Sequence, residues 1–356
     1  MSAERDAFAE RMVSSVAVAM DVFSAYLGDR LGFYRELAAG PATAGELASK
    51  AGCHERYARE WLEHQAATGI VRVEEAGADA SSRRYALPEG HAEVLLDRDS
   101  LSYVGPIVRL FVGAVSPLPS LLEAYRTGGG VAYADYGVDL REGQAEINRP
   151  AFMQQLPQEW IPAMPDVHER LSRPGAKVAD LGCGAAWSAI GIAQAYPGAR
   201  VDAFDLDAAS VELARTNVED AGVSDRVRVH VRDAGDAELA GQYDLVAAFE
   251  TIHDMSRPVD ALRAMRRLVA PGGGVMVVDE HVGETFTAPA DELERLMYGW
   301  SILHCLPVGM AEQPSAATGT VLRPGTLRAY AREAGFADVE VLPLDAGFFN
   351  VYWLVG

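Results

Sequence analysis

Apolar residues recur near the start of the chain at Phe8, Met12, Val16, Met20, Phe23 and Leu27. Spacings of three and four predict an amphipathic helix over 5–30 with one strongly apolar face. Such a face needs a partner surface, either its own core or a second subunit. From 31 to 95 the pattern shortens. Residues 44–50 and 55–68 predict two short helices broken at Gly52, and Gly69 ends the second. Residues 70–74 predict a strand, 77–82 a loop, and 84–87 the return strand. Helix, turn, helix and hairpin together predict a winged helix.

Residues 96–170 are less regular. An apolar segment at 104–115, the joint Gly128, Gly129 and Gly130, and Phe152, Met153, Trp160 and Met164 predict a helical connector. It either covers a ligand pocket or packs between domains. From 176 strands and helices alternate: strands at 177–181, 200–204, 227–231, 244–249 and 275–278, with a first helix at 188–195. After an insertion at about 282–322 come a helix at 326–334 and strands at 339–344 and 348–355 that close the sheet as a hairpin. The alternation predicts an α/β fold whose largely parallel sheet is covered on both faces. Three segments follow: 1–95, 96–170 and 171–356.

Composition narrows the function classes. No apolar run reaches the ~18 residues of a membrane span, and the polar N-terminus lacks the layout of a signal peptide, so a cytoplasmic protein is expected. Cys53, Cys183 and Cys305 are scattered and odd in number, which suggests neither a disulfide framework nor a cysteine zinc site. A formal charge of -20 disfavours nucleic acid and acidic membranes. Residues 1–95 carry ten Lys/Arg against fifteen Asp/Glu, a net of -5. A structural or dimerising winged helix therefore fits better than a DNA-binding one.

The chemistry centres on Asp180, Gly182 and Gly184, between the first parallel strand and its helix. Glycines there permit positive φ and close approach of a ligand, while the helix N-terminus offers free N–H groups. A dinucleotide fingerprint wants a third small residue where Trp187 stands. Asp205 closes the second strand, where a carboxylate can accept both ribose hydroxyls. Asp233 with Ala234 closes the third, and Pro271, Gly272 and Gly273 precede the fifth.

These four features resemble class I S-adenosylmethionine-dependent methyltransferases of the small-molecule, actinobacterial type, with an N-terminal winged-helix dimerisation domain. Ala186 stands where that family usually has a third glycine. The resemblance implies a Rossmann-like seven-stranded methyltransferase sheet and S-adenosylmethionine as cofactor. It implies cofactor contacts from Asp180, Gly182, Gly184, Asp205, Leu206, Asp233, Ala234 and Glu250. It also implies a homodimer acting on a small-molecule methyl acceptor. The stretch from Thr251 to Met255 resembles the His-Asp pair of the family's O-methyltransferases, which makes His253 the general base and Asp279, with Glu280 as neighbouring substitute, the acid that orients it. A phenol near pKa ~10 needs such help, and histidine titrates near neutrality.

His304 lies in the insertion, and His281 follows Glu280. His304 either hydrogen-bonds the acceptor as a third catalytic residue or joins His253 and a carboxylate around a divalent metal. The metal would suit C-methylation of a 2-oxo acid. A different class of function, a metabolite-sensing winged-helix transcriptional regulator, is the remaining alternative.

Overall fold

The computed structural model describes residues 2–74 and 79–356, so positions 77 and 78 of the predicted wing loop lie outside the described residues. The chain forms two compact units, Met1–Gly113 with Glu142–Ile147, and Ala114–Arg141 with Asn148–Gly356.

In the first unit the predicted N-terminal helix spans Ser2–Arg30. Its apolar stripe is uncovered: Phe8, Met12, Val16, Met20, Phe23 and Leu27 are each 43–60% exposed. Only Ala25 and Gly28 are buried, and a side chain at Gly28 would strike the Trp61 ring. The helix Ala44–Ala51 starts at a capping box, in which Thr43 accepts from the Glu46 amide and its own amide donates to the Glu46 carboxylate. With Glu55–Ala67 it packs over Phe33, Leu47, Leu62 and Tyr85. The predicted hairpin strands shrink to β1 (Arg72–Val73) and β2 (Tyr85–Ala86), paired antiparallel.

The second unit is built on seven strands: β3 (Lys177–Leu181), β4 (Arg200–Asp205), β5 (Val227–Val231), β6 (Tyr243–Phe249), β7 (Val269–Glu280), β8 (Asp338–Val341) and β9 (Phe349–Val355). Their order is β5-β4-β3-β6-β7-β9-β8. The first five run parallel, and β9 is antiparallel to both β7 and β8. This is the Rossmann-like methyltransferase sheet that the resemblance implies.

Strand alternation explains why the β6 run Leu245, Val246, Ala247 and Ala248 is apolar throughout. Leu245 and Ala247 enter the core on one face with Val178 and Met276, whereas Val246 and Ala248 enter the other with Ala179 and Val277. The fifth parallel strand begins earlier than predicted. β7 starts at Val269, and its register with β6 jumps from Tyr243 opposite Val269 to Leu245 opposite Gly274. The excess residues form the predicted glycine turn, with Gly272 at φ 74.

Hydrogen bonds join the connector to the insertion. The amide of Val131 donates to the Pro307 carbonyl, the Tyr125 hydroxyl to that of Ile302, and the Tyr136 hydroxyl to that of Leu303. Among the described residues, no single helix is long and apolar enough to cross a membrane.

Candidate active site

Parallel strands bring their carboxyl ends to one edge of the sheet, and ligands of open α/β sheets bind there. Asp180, Asp205, Glu250 and Glu280 lie at or within one residue of the ends of β3, β4, β6 and β7.

The turn after β3 is held by its own backbone. The amides of Gly182 and Cys183 both donate to the Phe204 carbonyl, at 2.8 and 3.0 Å. Gly182 has φ 78, and a Cβ there would collide with Thr251. Gly184 has φ 51, but a Cβ there would meet nothing within 4 Å. Gly182 is thus needed for packing, whereas Gly184 faces open space that a ligand can occupy. Ala186 takes φ 63 in the position where the family usually has glycine. The helix Trp187–Ala195 follows, with the Arg149 guanidinium 4.9 Å above the Trp187 ring.

Asp205 accepts from the Gly184 amide through Oδ2 and from the Asp207 amide through Oδ1, each at 2.8 Å. Each oxygen keeps a second lone pair for a hydroxyl donor. Burial pushes its pKa up. Leu206 beside it is 61% exposed, an apolar surface at the rim. Asp207 instead caps the next helix and pairs with Arg141 at 2.9 Å. Asp233 accepts from the Gly235 amide at 2.8 Å, with Arg257 at 3.5 Å, and Ala234 is buried beside it.

Asp180 and Glu250 each have a buried oxygen without a hydrogen-bond partner in the fold. Asp180 is fully buried, and its Oδ2 accepts from Ser188 at 2.6 Å while Oδ1 has no donor. Burial raises its pKa to about 7. Glu250, at φ 49, receives one hydrogen bond from Asn148 Nδ2 while Oε1 has none. Burial raises it also to about 7. A buried oxygen left unpaired costs ~1–3 kcal/mol. Open space at Gly184 and these two oxygens fit a ligand with polar and cationic groups, as the expected cofactor has.

His253 lies in a single 3₁₀ turn, Ile252–Asp254, just past β6. It is 2% exposed, and its Nδ1 lies 2.7 Å from Oδ1 of the wholly buried Asp279. Its Nε2 lies 3.3 Å from Asp254 Oδ1. Burial alone would favour the neutral ring, but Asp279 and Asp254 outweigh it and hold the pKa well above the ordinary value. Glu280 is driven upward by burial and then by Glu250.

The sequence expectation that His253 and His304 share a metal is not matched by the positions of their ligating atoms. Among the described residues, those that converge belong to His253, Asp254 and Cys305. His304 turns Nδ1 toward Cys305 Sγ at 3.4 Å and lies edge-on to Tyr136 and Tyr133 at 4.7 and 5.8 Å between centroids. Its Nε2 is buried without a partner, and burial lowers its pKa. His281, exposed and just past the end of β7, turns its Nδ1 toward the Gly347 carbonyl. Sequence reasoning did not single out Asn148, Tyr133, Tyr136 or Cys305 as site residues, since the connector and insertion carry no periodic motif. The one available signal was that Cys305 directly follows His304.

A family model described as a methyltransferase domain matches residues 172–316, and one described as an Rv2258c-like winged HTH domain matches residues 18–97. The ubiquinone biosynthesis O-methyltransferase of Pseudomonas aeruginosa strain UCBPP-PA14 is 30% identical over 178 residues, 50% of this chain and 72% of that protein. Human N-acetylserotonin methyltransferase, solved in complex with S-adenosylmethionine, is similar at TM-score 0.65 and 20% identity over 98% of this chain and 97% of that one. The mitomycin 7-O-methyltransferase MmcR is similar at TM-score 0.68 and 19% identity over 100% and 99%. At these identities the two structures speak for the fold.

Proposed function

This chain belongs to the S-adenosylmethionine-dependent methyltransferases with an N-terminal winged-helix domain, and on that premise we propose that it methylates a hydroxyl group of its small-molecule acceptor with His253 as general base. The observation that carries this reading is the buried 2.7 Å contact between His253 Nδ1 and Asp279 Oδ1, at the carboxyl edge of the sheet. Bound S-adenosylmethionine supplies a methyl group on a positively charged, electrophilic sulfur.

The protein's residues have divided tasks. Asp205 would hold the ribose hydroxyls of the cofactor, and Leu206, Asp233 and Ala234 its adenine. Gly182 and Gly184 let the backbone pass close, and the free oxygens of Asp180 and Glu250 point to the cofactor's polar end. Asp279 holds the Nδ1–H of His253, so the neutral ring presents Nε2 as acceptor. The acceptor hydroxyl gives its proton to Nε2 as the oxygen gains the methyl, and Asp279 stabilises the resulting imidazolium. The 3.3 Å spacing from Nε2 to Asp254 is longer than a charge-assisted bond of ~2.7–2.9 Å, so a hydroxyl can displace it at little cost. The Pseudomonas relative's name, an O-methyltransferase, supports a hydroxyl acceptor.

The uncovered stripe from Phe8 to Leu27 supports a homodimer. Against the regulator stands the helix Glu55–Ala67, whose Arg56 and Arg59 each pair with a glutamate one turn away.

Release of S-adenosylhomocysteine from a panel of phenols and aliphatic alcohols tests the reading. With any acceptor found, His253→Ala should lose ~10²–10⁴-fold in turnover while calorimetry shows unchanged cofactor affinity. Full turnover by the variant would remove His253 as base.

A further inference from the structure

Three ligating atoms of different kinds converge just past β6: an imidazole nitrogen of His253, a carboxylate oxygen of Asp254 and the Cys305 Sγ all lie within 4.8 Å of one another, with His253 Nε2 3.3 Å from Asp254 Oδ1. We propose that this corner binds a divalent transition-metal ion of the zinc class through one nitrogen, one oxygen and one sulfur. The binding claim stands on geometry alone, and only its kinetic consequence rests on His253 being the base.

The donor set suits zinc, which accepts imidazole, carboxylate and thiolate together. A tetrahedral zinc centre with bonds of ~2.0–2.3 Å has edges of roughly 3.3–3.6 Å between ligating atoms. The His253–Asp254 edge is already 3.3 Å, so little movement is needed there. The support behind the imidazole is that of a metal ligand: its other ring nitrogen contacts the buried carboxylate of Asp279, which sets tautomer and ring orientation. His304, next to Cys305 in the chain, is buried and turns its Nδ1 toward the Cys305 Sγ at 3.4 Å.

Three protein ligands leave a fourth position open, as in catalytic rather than structural zinc sites. Coordination needs the Cys305 thiolate and a free lone pair on the imidazole, so any proton on either atom leaves to solvent on binding, with no change of oxidation state. With Nε2 committed to the ion, His253 has no lone pair for the acceptor's proton. Zinc occupancy therefore shuts off hydroxyl methylation.

The test uses the full-length protein, stripped with a chelator and titrated with Co²⁺. A near-ultraviolet thiolate-to-cobalt charge-transfer band should grow to one equivalent and vanish when Zn²⁺ is added. Cys305→Ser should lose the band while still binding S-adenosylmethionine by calorimetry, and His304→Gln should keep it. Because a buried cysteine variant can misfold, Asp279→Asn gives a second arm, in which Co²⁺ affinity falls ~10–100-fold. No band in the wild type, or an undiminished band in folded Cys305→Ser, overturns the site. A band that forms while Zn²⁺ leaves turnover intact upholds the site and removes His253 as base. A missing band with an inactive His253→Ala does the reverse.

Discussion

At the scale of the residue, His253 is decided by opposing electrostatics. Removing an imidazolium from water is costly, yet carboxylates on both sides reverse the preference and keep the ring charged well above its ordinary pKa. A base must be neutral to accept a proton, so the kcat/KM profile should climb with pH through a His253 pKa above ~6.5. Asp279→Asn removes the larger of the two opposing charges and should move that limb toward lower pH. A limb that does not move in this variant would mean that another group titrates. The same contacts contribute stability fully below the unfolded value of ~6.5, and that contribution is lost as pH rises through the folded value. The stability gap between wild type and Asp279→Asn should therefore narrow at alkaline pH in denaturant titrations.

At the scale of the element, the turn from β3 into the helix Trp187–Ala195 separates two uses of glycine. Gly182→Ala combines a left-handed backbone, ~1–2 kcal/mol, with a collision against Thr251, ~1–3 kcal/mol, and should lower folding stability measurably. Gly184→Ala meets only the backbone cost, ~1–2 kcal/mol, because nothing in the fold lies within 4 Å of the added carbon. Its main effect should be on S-adenosylmethionine, with affinity reduced at least ~10-fold, or ~1.4 kcal/mol, in a calorimetric titration. Equal cofactor affinity in folded Gly184→Ala would place the ligand elsewhere. Ala186 bears a left-handed conformation with a Cβ, and Glu250 does likewise with a full side chain. Such residues persist where surrounding structure over-determines them, and both lie beside the proposed cofactor.

At the scale of the molecule, the uncovered face of Ser2–Arg30 sets an expectation about assembly. Six large apolar side chains on one helix, each 43–60% exposed, are more than scattered surface residues explain. Phe8→Glu with Val16→Glu should convert a dimer into a single chain by light scattering, with the second unit's cofactor affinity unchanged. A monomeric wild type would refute the dimer. The net charge of -20 makes self-association through charged faces repulsive, so a dimer is expected to form through an apolar surface such as this stripe.

Local pattern determined a good deal by itself. Continuous apolar strands, one ending in Asp205 and one followed by Glu250, and the glycine turn at 182 and 184 are short-range features, and the structure places them as periodicity and turn chemistry predict. The extent of the wing strands and the start of β7 were not legible, because pairing partners set strand length. Tertiary structure alone decided which distant side chains meet. His253 faces Asp279, 26 residues on, because β6 and β7 lie side by side. Asn148 reaches Glu250 across 102 residues. Cys305 rather than His304 turns its ligating atom toward His253 and Asp254. Adjacent residues on a helical turn point in different directions, so one position in sequence separates a ligating atom from a neighbour that faces two tyrosines.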